Sequence, residues 1–401
     1  MHLVWNRARI NRKVAGQKGL AEIVEVSAMA ERIFLSSPHM SEEGFELEYI
    51  QDAFRKNWIA PLGENVNEFE KAMSAYMGAE HVVALGSGTS ALHLAAILAG
   101  VGAGDLVFCQ DLTFSASANP VAYQGGKPVF IDSDRATWNM DPAALRKAIG
   151  QYGVPKAVIV VHLYGNPANM EEICAICAEY GITLIEDAAE ALGSEYAGRK
   201  CGTFGQFGVL SFNGNKIITT SGGGMLLCKR ADDAAHALKL ATQARESVAW
   251  YEHKEIGYNY RLSNISAGIG RGQAKVLPER VEQKRAICGW YQEELAGLPV
   301  SVQPVLSGAK SNRWLTTILV DEGCAVTPAQ VIAALSDANM EARHLWKPMH
   351  AQPVFSDAPF VSVEEQAVSD DLFARGVCLP SDTKMGREDV ARVSAVIRGL
   401  F

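Results

Sequence analysis

Lys216 stands in the run Ser211-Phe212-Asn213-Gly214-Asn215-Lys216, just past the apolar pair Val209-Leu210 and shortly before Gly222-Gly223-Gly224. A lysine among small and polar residues at the end of a buried segment is well placed to form an imine with a carbonyl compound. That chemistry needs the free amine, and an ordinary lysine with a pKa of about 10.4 is only about 0.04% neutral at pH 7. Such a lysine therefore needs a desolvating or cationic setting. Upstream, Ile182-Thr183-Leu184-Ile185-Glu186-Asp187 reads as a buried strand ending in acid, followed by Ala188-Ala189-Glu190. An acid with a lysine downstream suits pyridoxal phosphate, whose ring nitrogen stays protonated beside an anion and then serves as an electron sink.

The phosphate of such a cofactor needs its own partners. Gly88, Thr89 and Ser90 open an apolar helix, so their N–H groups and the helix dipole can hold a dianion. A Gly-Thr pair before a helix is more often a plain cap, and it gains weight only beside the other features. Ser211 can donate its hydroxyl to the same phosphate. Phe114, in Thr113-Phe114-Ser115-Ala116-Ser117, can stack on a flat ring or serve as an ordinary core aromatic.

These residues must be positioned by a scaffold. Asp105–Cys109, Pro128–Asp132, Ala157–His162, Ile182–Asp187, the segment near 207–212 and Gly224–Cys228 are short apolar runs separated by helical patterns. Runs this apolar indicate an α/β sheet covered on both faces. Ligands of such sheets collect at the carboxyl ends of the strands, where Asp187 and the loop before Lys216 fall. After about residue 240 the spacing changes. A long helical stretch from Ile265 to Leu295 leads into a smaller α+β region with Trp314–Val320 as a strand. The expected organisation is an N-terminal extension over 1–31, a large cofactor-binding domain over 32–265, and a linking helix with a small C-terminal domain over 266–401.

Composition narrows the class. The chain has 401 residues, a net charge of −8 and no basic block, which argues against non-specific nucleic-acid binding. No apolar stretch approaches the roughly 18 residues that span a bilayer. The eight cysteines are scattered, several in apolar runs, as free thiols of a cytoplasmic protein would be. Cys174-x-x-Cys177 lies in a helical pattern without a second ligand pair and reads as packing, so no metal site is expected. The first thirty residues intersperse Arg7, Arg9, Arg12, Lys13 and Lys18 with single apolar residues; this reads as a flexible extension rather than a secretory signal.

With these residues in place, the chain resembles the DegT/DnrJ/EryC1/StrS family of pyridoxal phosphate-dependent nucleotide-sugar aminotransferases, from Ile33 to Phe401. The motifs carrying the resemblance are Ser87-Gly88-Thr89, Glu186-Asp187-Ala188-Ala189-Glu190, Ser211 through Lys216, and Tyr258-Asn259-Tyr260-Arg261-Leu262-Ser263-Asn264. The stretches Asn57-Trp58-Ile59-Ala60-Pro61-Leu62-Gly63, Ser311-Asn312-Arg313-Trp314 and Leu345-Trp346-Lys347-Pro348-Met349-His350 are most similar to transaminases that make UDP-4-amino-4,6-dideoxy-N-acetylglucosamine, a precursor of bacillosamine in glycan synthesis.

The resemblance implies an aspartate-aminotransferase-like (type I) fold, with a large, mostly parallel mixed sheet and a smaller C-terminal α+β domain. It implies Lys216 as the Schiff-base lysine and Asp187 as the pyridinium partner. Gly88, Thr89 and Ser211 would hold phosphate, Phe114 would stack, and Glu190 would contact the phenolic edge, where many relatives carry glutamine. Asn259 would reach the cofactor phosphate of a neighbouring subunit, which implies a homodimer with shared sites. Asn57, Trp58, Ile59 and Ala60 would line the sugar-nucleotide pocket, with Arg343, Trp346 and Lys347 near the nucleotide. Two positions depart from the pattern: His344 stands where proline is expected, and Ser90 where alanine is common. The implied reaction moves the amino group of L-glutamate to C4 of a UDP-linked 4-keto-6-deoxy-N-acetylhexosamine. Other nucleotide sugars, as in GDP-perosamine synthesis, and a non-catalytic regulatory protein of the same fold stay open as alternatives. A sugar dehydratase of this fold is disfavoured, because those enzymes replace the lysine with histidine.

Overall fold

The computed structural model describes residues 31–401. The extension expected over 1–31 lies, but for Glu31, outside the described residues.

The first half of the described chain alternates strands and helices. Its strands are β1 (His81–Leu85), β2 (Leu106–Gln110), β3 (Lys127–Ile131), β4 (Ala157–Val161), β5 (Thr183–Asp187), the short hairpin β6 (Glu195–Tyr196) and β7 (Arg199–Lys200), then β8 (Phe207–Ser211) and β9 (Gly224–Cys228). The second half carries β10 (Val300–Val302), β11 (Ala309–Lys310), β12 (Thr316–Val320), β13 (Arg343–His344), β14 (Phe360–Val361) and β15 (Gly376–Leu379).

Eight of these form the large sheet, in the order β1-β9-β8-β5-β4-β2-β3-β14. β9 pairs antiparallel with both neighbours, while β8, β5, β4, β2, β3 and β14 pair in parallel, so β9 alone is reversed. The mixed, mostly parallel type I sheet is as expected. Its central strands are buried along their whole length, β4, β8 and β9 at every position. That burial is why they read as continuous apolar runs rather than as alternating patterns. Separate apolar cores cover the two faces, one around Leu94, Val107 and Ile159 and one around Phe108, Val158 and Ile173.

The helix Gly88–Leu98 follows β1 directly, with Ser87 as its cap: the Ser87 side chain accepts from the Ser90 N–H at 3.0 Å. The long helix Asn264–Glu294 spans 31 residues and matches the expected stretch. The helices Phe45–Arg55 and Glu64–Met77 pack along it, and glycine permits the approach. A Cβ on Gly272 would fall 2.6 Å from the Glu46 backbone nitrogen. The four-stranded antiparallel sheet β10-β12-β15-β13 builds a further core with Ile287, Tyr291, Ile318 and Val393.

Two features differ from the expectation. The strand expected to begin at Trp314 begins at Thr316, because Arg313 adopts a left-handed backbone (φ 56°) and keeps the chain in a turn. The C-terminal half also returns β14 to the edge of the large sheet beside β3, a two-residue pairing too short to leave a periodic signal.

Candidate active site

The carboxyl edge of the large sheet closes around a cavity of about 390 Å³. Gly88, Thr89, Phe114, Asp187, Glu190, Ser211, Lys216, Trp314 and Trp346 are among its lining residues. Sheet topology explains the convergence. Asp187 ends β5 and Ser211 ends β8, so two parallel strands deliver their last side chains to one edge. Gly224, at the start of the reversed β9, pairs with both Leu85 and Ser211 at that edge. A Cβ on Gly224 would sit 2.4 Å from the Gly88 nitrogen, so only glycine lets the strand approach the first turn of the helix. By their position in that turn the Gly88 and Thr89 N–H groups have no intrahelical partner, and they open on the cavity with the Ser211 hydroxyl.

Asp187 is 5% exposed. Its carboxylate accepts from the Ser117 hydroxyl at 2.7 Å and from the Ala189 N–H at 3.1 Å. Thr113 lies 2.8 Å from the same Ser117 hydroxyl. Among the described residues no basic side chain forms an ion pair with Asp187. A buried carboxylate with donors but no cation is matched by a cationic ligand group.

Beside Asp187, Glu186 is fully buried and accepts from the Gly202 and Gly205 N–H groups at 2.8 and 2.6 Å. It lies 3.0 Å from His162 Nε2. His162 Nδ1 accepts from the Ala168 N–H at 3.1 Å, so the ring proton sits on Nε2 and is donated to Glu186. This pair braces the ends of β4 and β5 from outside the cavity.

Lys216 Nζ lies 3.5 Å from Glu190 Oε1 and 4.2 Å from the centre of the Trp314 ring. Glu190 also accepts from the Tyr164 N–H at 2.8 Å. Burial raises the pKa of its carboxyl, and the charge of Lys216 opposes that rise. At the mouth, Phe114 is 53% exposed and lies 5.4 Å from Trp346, the two rings tilted by 56°. Trp346 is held by its backbone N–H, which donates to the Tyr164 hydroxyl at 2.8 Å.

The remaining expected residues lie elsewhere. Asn57 to Ala60 follow the helix Phe45–Arg55 and do not line this cavity. Trp58 and Ile59 are 48% and 53% exposed, and Trp58 borders a separate surface depression. Asn264 fixes that loop, donating from its side chain to the Trp58 carbonyl at 3.0 Å and from its backbone to the Ala60 carbonyl at 2.8 Å. Asn259 is exposed and accepts from the Gln243 side chain at 3.2 Å. Arg343 is exposed and donates to Glu341 at 2.6 Å, while Lys347 points no contact into the cavity. Within one chain, then, Asn57, Trp58, Ile59, Ala60, Asn259, Arg343 and Lys347 are not brought to Lys216. Three residues had no expected role in the site: Trp314, which lines the cavity, and Ser117 and Tyr164, which bond to Asp187 and Glu190 from behind it. Ser117 shares a short run with Phe114, and a hydroxyl near a predicted anion was the available signal.

Cys174 and Cys177 lie on the helix Met170–Tyr180, both free. Burial pushes the Cys177 thiol up to about 12, as suits a packing residue. No cluster of metal-binding side chains occurs among the described residues, and none of their helices is long and apolar enough to cross a membrane.

A model of the DegT/DnrJ/EryC1/StrS aminotransferase family matches residues 40–398. The chain belongs to this family. EpsN of Bacillus subtilis, whose name describes a pyridoxal phosphate-dependent aminotransferase, is 51% identical over 93% of this chain and 97% of its own length. A GDP-perosamine synthase of Caulobacter vibrioides is 35% identical over 91% of this chain and 97% of its own. The crystal structure of a family aminotransferase from Brucella abortus is 29% identical, covers 89% of this chain and 95% of that one, and superimposes with a TM-score of 0.82. The chain is thus a pyridoxal phosphate-dependent sugar aminotransferase of the type I fold. The cavity fits that cofactor: a lysine amine, a carboxylate without a cation, and a glycine-lined helix start converge on it.

Proposed function

We propose that this aminotransferase moves the amino group of L-glutamate to C4 of a UDP-linked 4-keto-6-deoxy-N-acetylhexosamine, giving UDP-4-amino-4,6-dideoxy-N-acetylglucosamine. The observation that carries the site assignment is the convergence of Lys216, Asp187 and the Gly88–Thr89 turn on one cavity. The substrate assignment is supported by the stretches Asn57–Gly63, Ser311–Trp314 and Leu345–His350, which resemble transaminases of that product.

Pyridoxal phosphate, when bound, supplies a carbonyl that carries the amino group and a ring that withdraws electrons from the reacting carbon. The chain does the rest. Gly88 and Thr89 N–H groups and the Ser211 hydroxyl hold the phosphate at the positive end of the helix dipole. Asp187 keeps the ring nitrogen protonated, and Ser117 and Ala189 fix the direction of its carboxylate. Phe114 covers the ring, with Trp346 beside it at the mouth. Glu190 faces the phenolic edge. Lys216 Nζ, released as a free amine, takes the proton from the carbon of the amino donor and returns one to C4 of the sugar, acting in turn as base and acid. Asn57 to Ala60, Arg343 and Lys347 contact the sugar nucleotide, and Asn259 reaches the phosphate in the partner subunit of a homodimer, which accounts for their distance from Lys216 of the same chain.

A second reading is favoured by the 35% identity to a GDP-perosamine synthase. The test is amination of UDP-4-keto-6-deoxy-N-acetylglucosamine against GDP-4-keto-6-deoxymannose, each with L-glutamate, followed by sugar-nucleotide mass. Conversion of the UDP ketone alone is the expected result. Conversion of the GDP ketone alone moves the chain to the second reading.

A further inference from the structure

The cavity has a floor that the reaction above leaves without a role. Trp314 is 1% exposed, and its indole meets the lysine loop twice. Its Nε1–H donates to the Asn215 carbonyl, the peptide just before Lys216, at 2.8 Å. Its ring centre lies 4.2 Å from Lys216 Nζ. Glu190 faces the same nitrogen at 3.5 Å.

The two contacts differ in how replaceable they are. The Asn215 carbonyl has a second donor, the Ser36 hydroxyl at 2.9 Å, which in turn accepts from the buried Lys284 at 3.0 Å. The loop therefore stays tied if the indole N–H is lost. Among the described residues no other aromatic ring lies against Lys216 Nζ.

Trp314 is itself fixed by the groups that fix Glu190. Its backbone N–H donates to Asn312 Oδ1 at 2.8 Å, while Asn312 Nδ2 donates to the Glu190 and Leu192 carbonyls, each at 2.9 Å. Its ring also stacks on Tyr164 at 6.4 Å and 16°, and the Tyr164 N–H is the donor to the Glu190 carboxylate. Ring and carboxylate are thus held in register by one small network.

We infer that Trp314 is the positioning residue of Lys216, its ring face and the Glu190 carboxylate forming a two-sided seat for Nζ whenever that nitrogen is not bonded to the cofactor. The inference rests on Lys216 being the reacting lysine. An aromatic face attracts an ammonium group electrostatically, most strongly where water is excluded. A seated nitrogen stays aligned with the carbon whose proton it must move, and alignment is worth large factors in rate.

The test compares Trp314→Phe, which keeps a ring and loses the N–H, with Trp314→Leu, which loses both. In cofactor-free protein, acetic anhydride labelling of Lys216, read by mass spectrometry against the other lysines, reports the seat without any substrate. The seat shields the amine, so Trp314→Leu speeds labelling about tenfold and Trp314→Phe restores it to within about threefold of the parent. In the holoenzyme kcat falls about tenfold in the Leu variant, with KM for both substrates within about twofold. If Leu blocks folding, Trp314→Met takes its place as the non-aromatic variant. Labelling of the non-aromatic variant at the parent rate overturns the seat. Equal changes in the Phe variant and the non-aromatic variant overturn the role of the ring face. Because labelling needs neither cofactor nor sugar, a wrong substrate assignment leaves this result unaffected.

Discussion

The cavity around Lys216 and the loop around Trp58 belong to one chain but are built on opposite terms. At Lys216, strand ends, a helix start and a turn from the C-terminal half line one cavity, with Asp187 and Glu190 buried and hydrogen-bonded. At Asn57–Ala60 the backbone is pinned by Asn264, yet Trp58 and Ile59 stand half exposed, Trp58 on a surface depression separate from the cavity. The residues expected to hold the cofactor converge within one chain, Asn259 excepted; those expected at the sugar nucleotide, Trp346 excepted, are presented outward. The account therefore assigns chemistry to the first region and substrate choice, with partner contact, to the second.

Variants can break that division, beginning with the largest effect. Lys216→Ala removes the proton-moving nitrogen and should lower turnover by at least about 10⁴-fold, read as sugar-nucleotide amination, while thermal stability changes little. Asp187→Asn keeps the shape but loses the anion beside the ring nitrogen. It should lower kcat by about 10²-fold or more with both keto-sugars alike, since this residue belongs to the chemical region.

The outward region makes a different prediction. Asn259→Ala and Lys216→Ala proteins, each of low activity alone, should regain activity when mixed and allowed to exchange subunits, because one site of the mixed dimer carries both native residues. Mixed activity equal to the sum of the parents would place Asn259 outside the shared site. Trp58→Ala should raise KM for the sugar nucleotide several-fold and leave single-turnover amino transfer from L-glutamate within about twofold. Glu190→Gln should have the smallest effect, within about threefold in kcat, because the amide still accepts from the Tyr164 N–H. A larger loss would show that the charge facing Lys216 matters, which would strengthen the seat formed with Trp314.

The same division marks what could be read from the sequence. Six of the eight strands of the large sheet left continuous apolar runs that gave their positions almost to the residue; β1 and the two-residue β14 left none that was read. Asp187 and Lys216 stood at the ends of such runs, so topology alone sends them to one edge. The seat under Lys216 was not legible. Trp314 comes from the far half of the chain and is aimed by a left-handed residue at Arg313, which no periodic pattern encodes. Ser117 and Tyr164 were hidden for a related reason, since each acts through a hydrogen bond fixed only by tertiary packing. The roles of Asn57, Trp58, Ile59, Ala60 and Asn259 came from resemblance and not from the pattern of residues. Within a single chain they do not line the cavity around Lys216.

The central claim is that one cavity, through Lys216, transfers an amino group from L-glutamate to C4 of a UDP-linked 4-keto sugar. The most direct measurement uses L-glutamate labelled with heavy nitrogen, the UDP ketone, and the mass of the recovered sugar nucleotide, with Lys216→Ala in parallel. The account predicts a 4-amino product carrying the heavy nitrogen with the parent protein and none with the variant. An unlabelled or unconverted sugar nucleotide with the parent, or labelled product from Lys216→Ala, would contradict it.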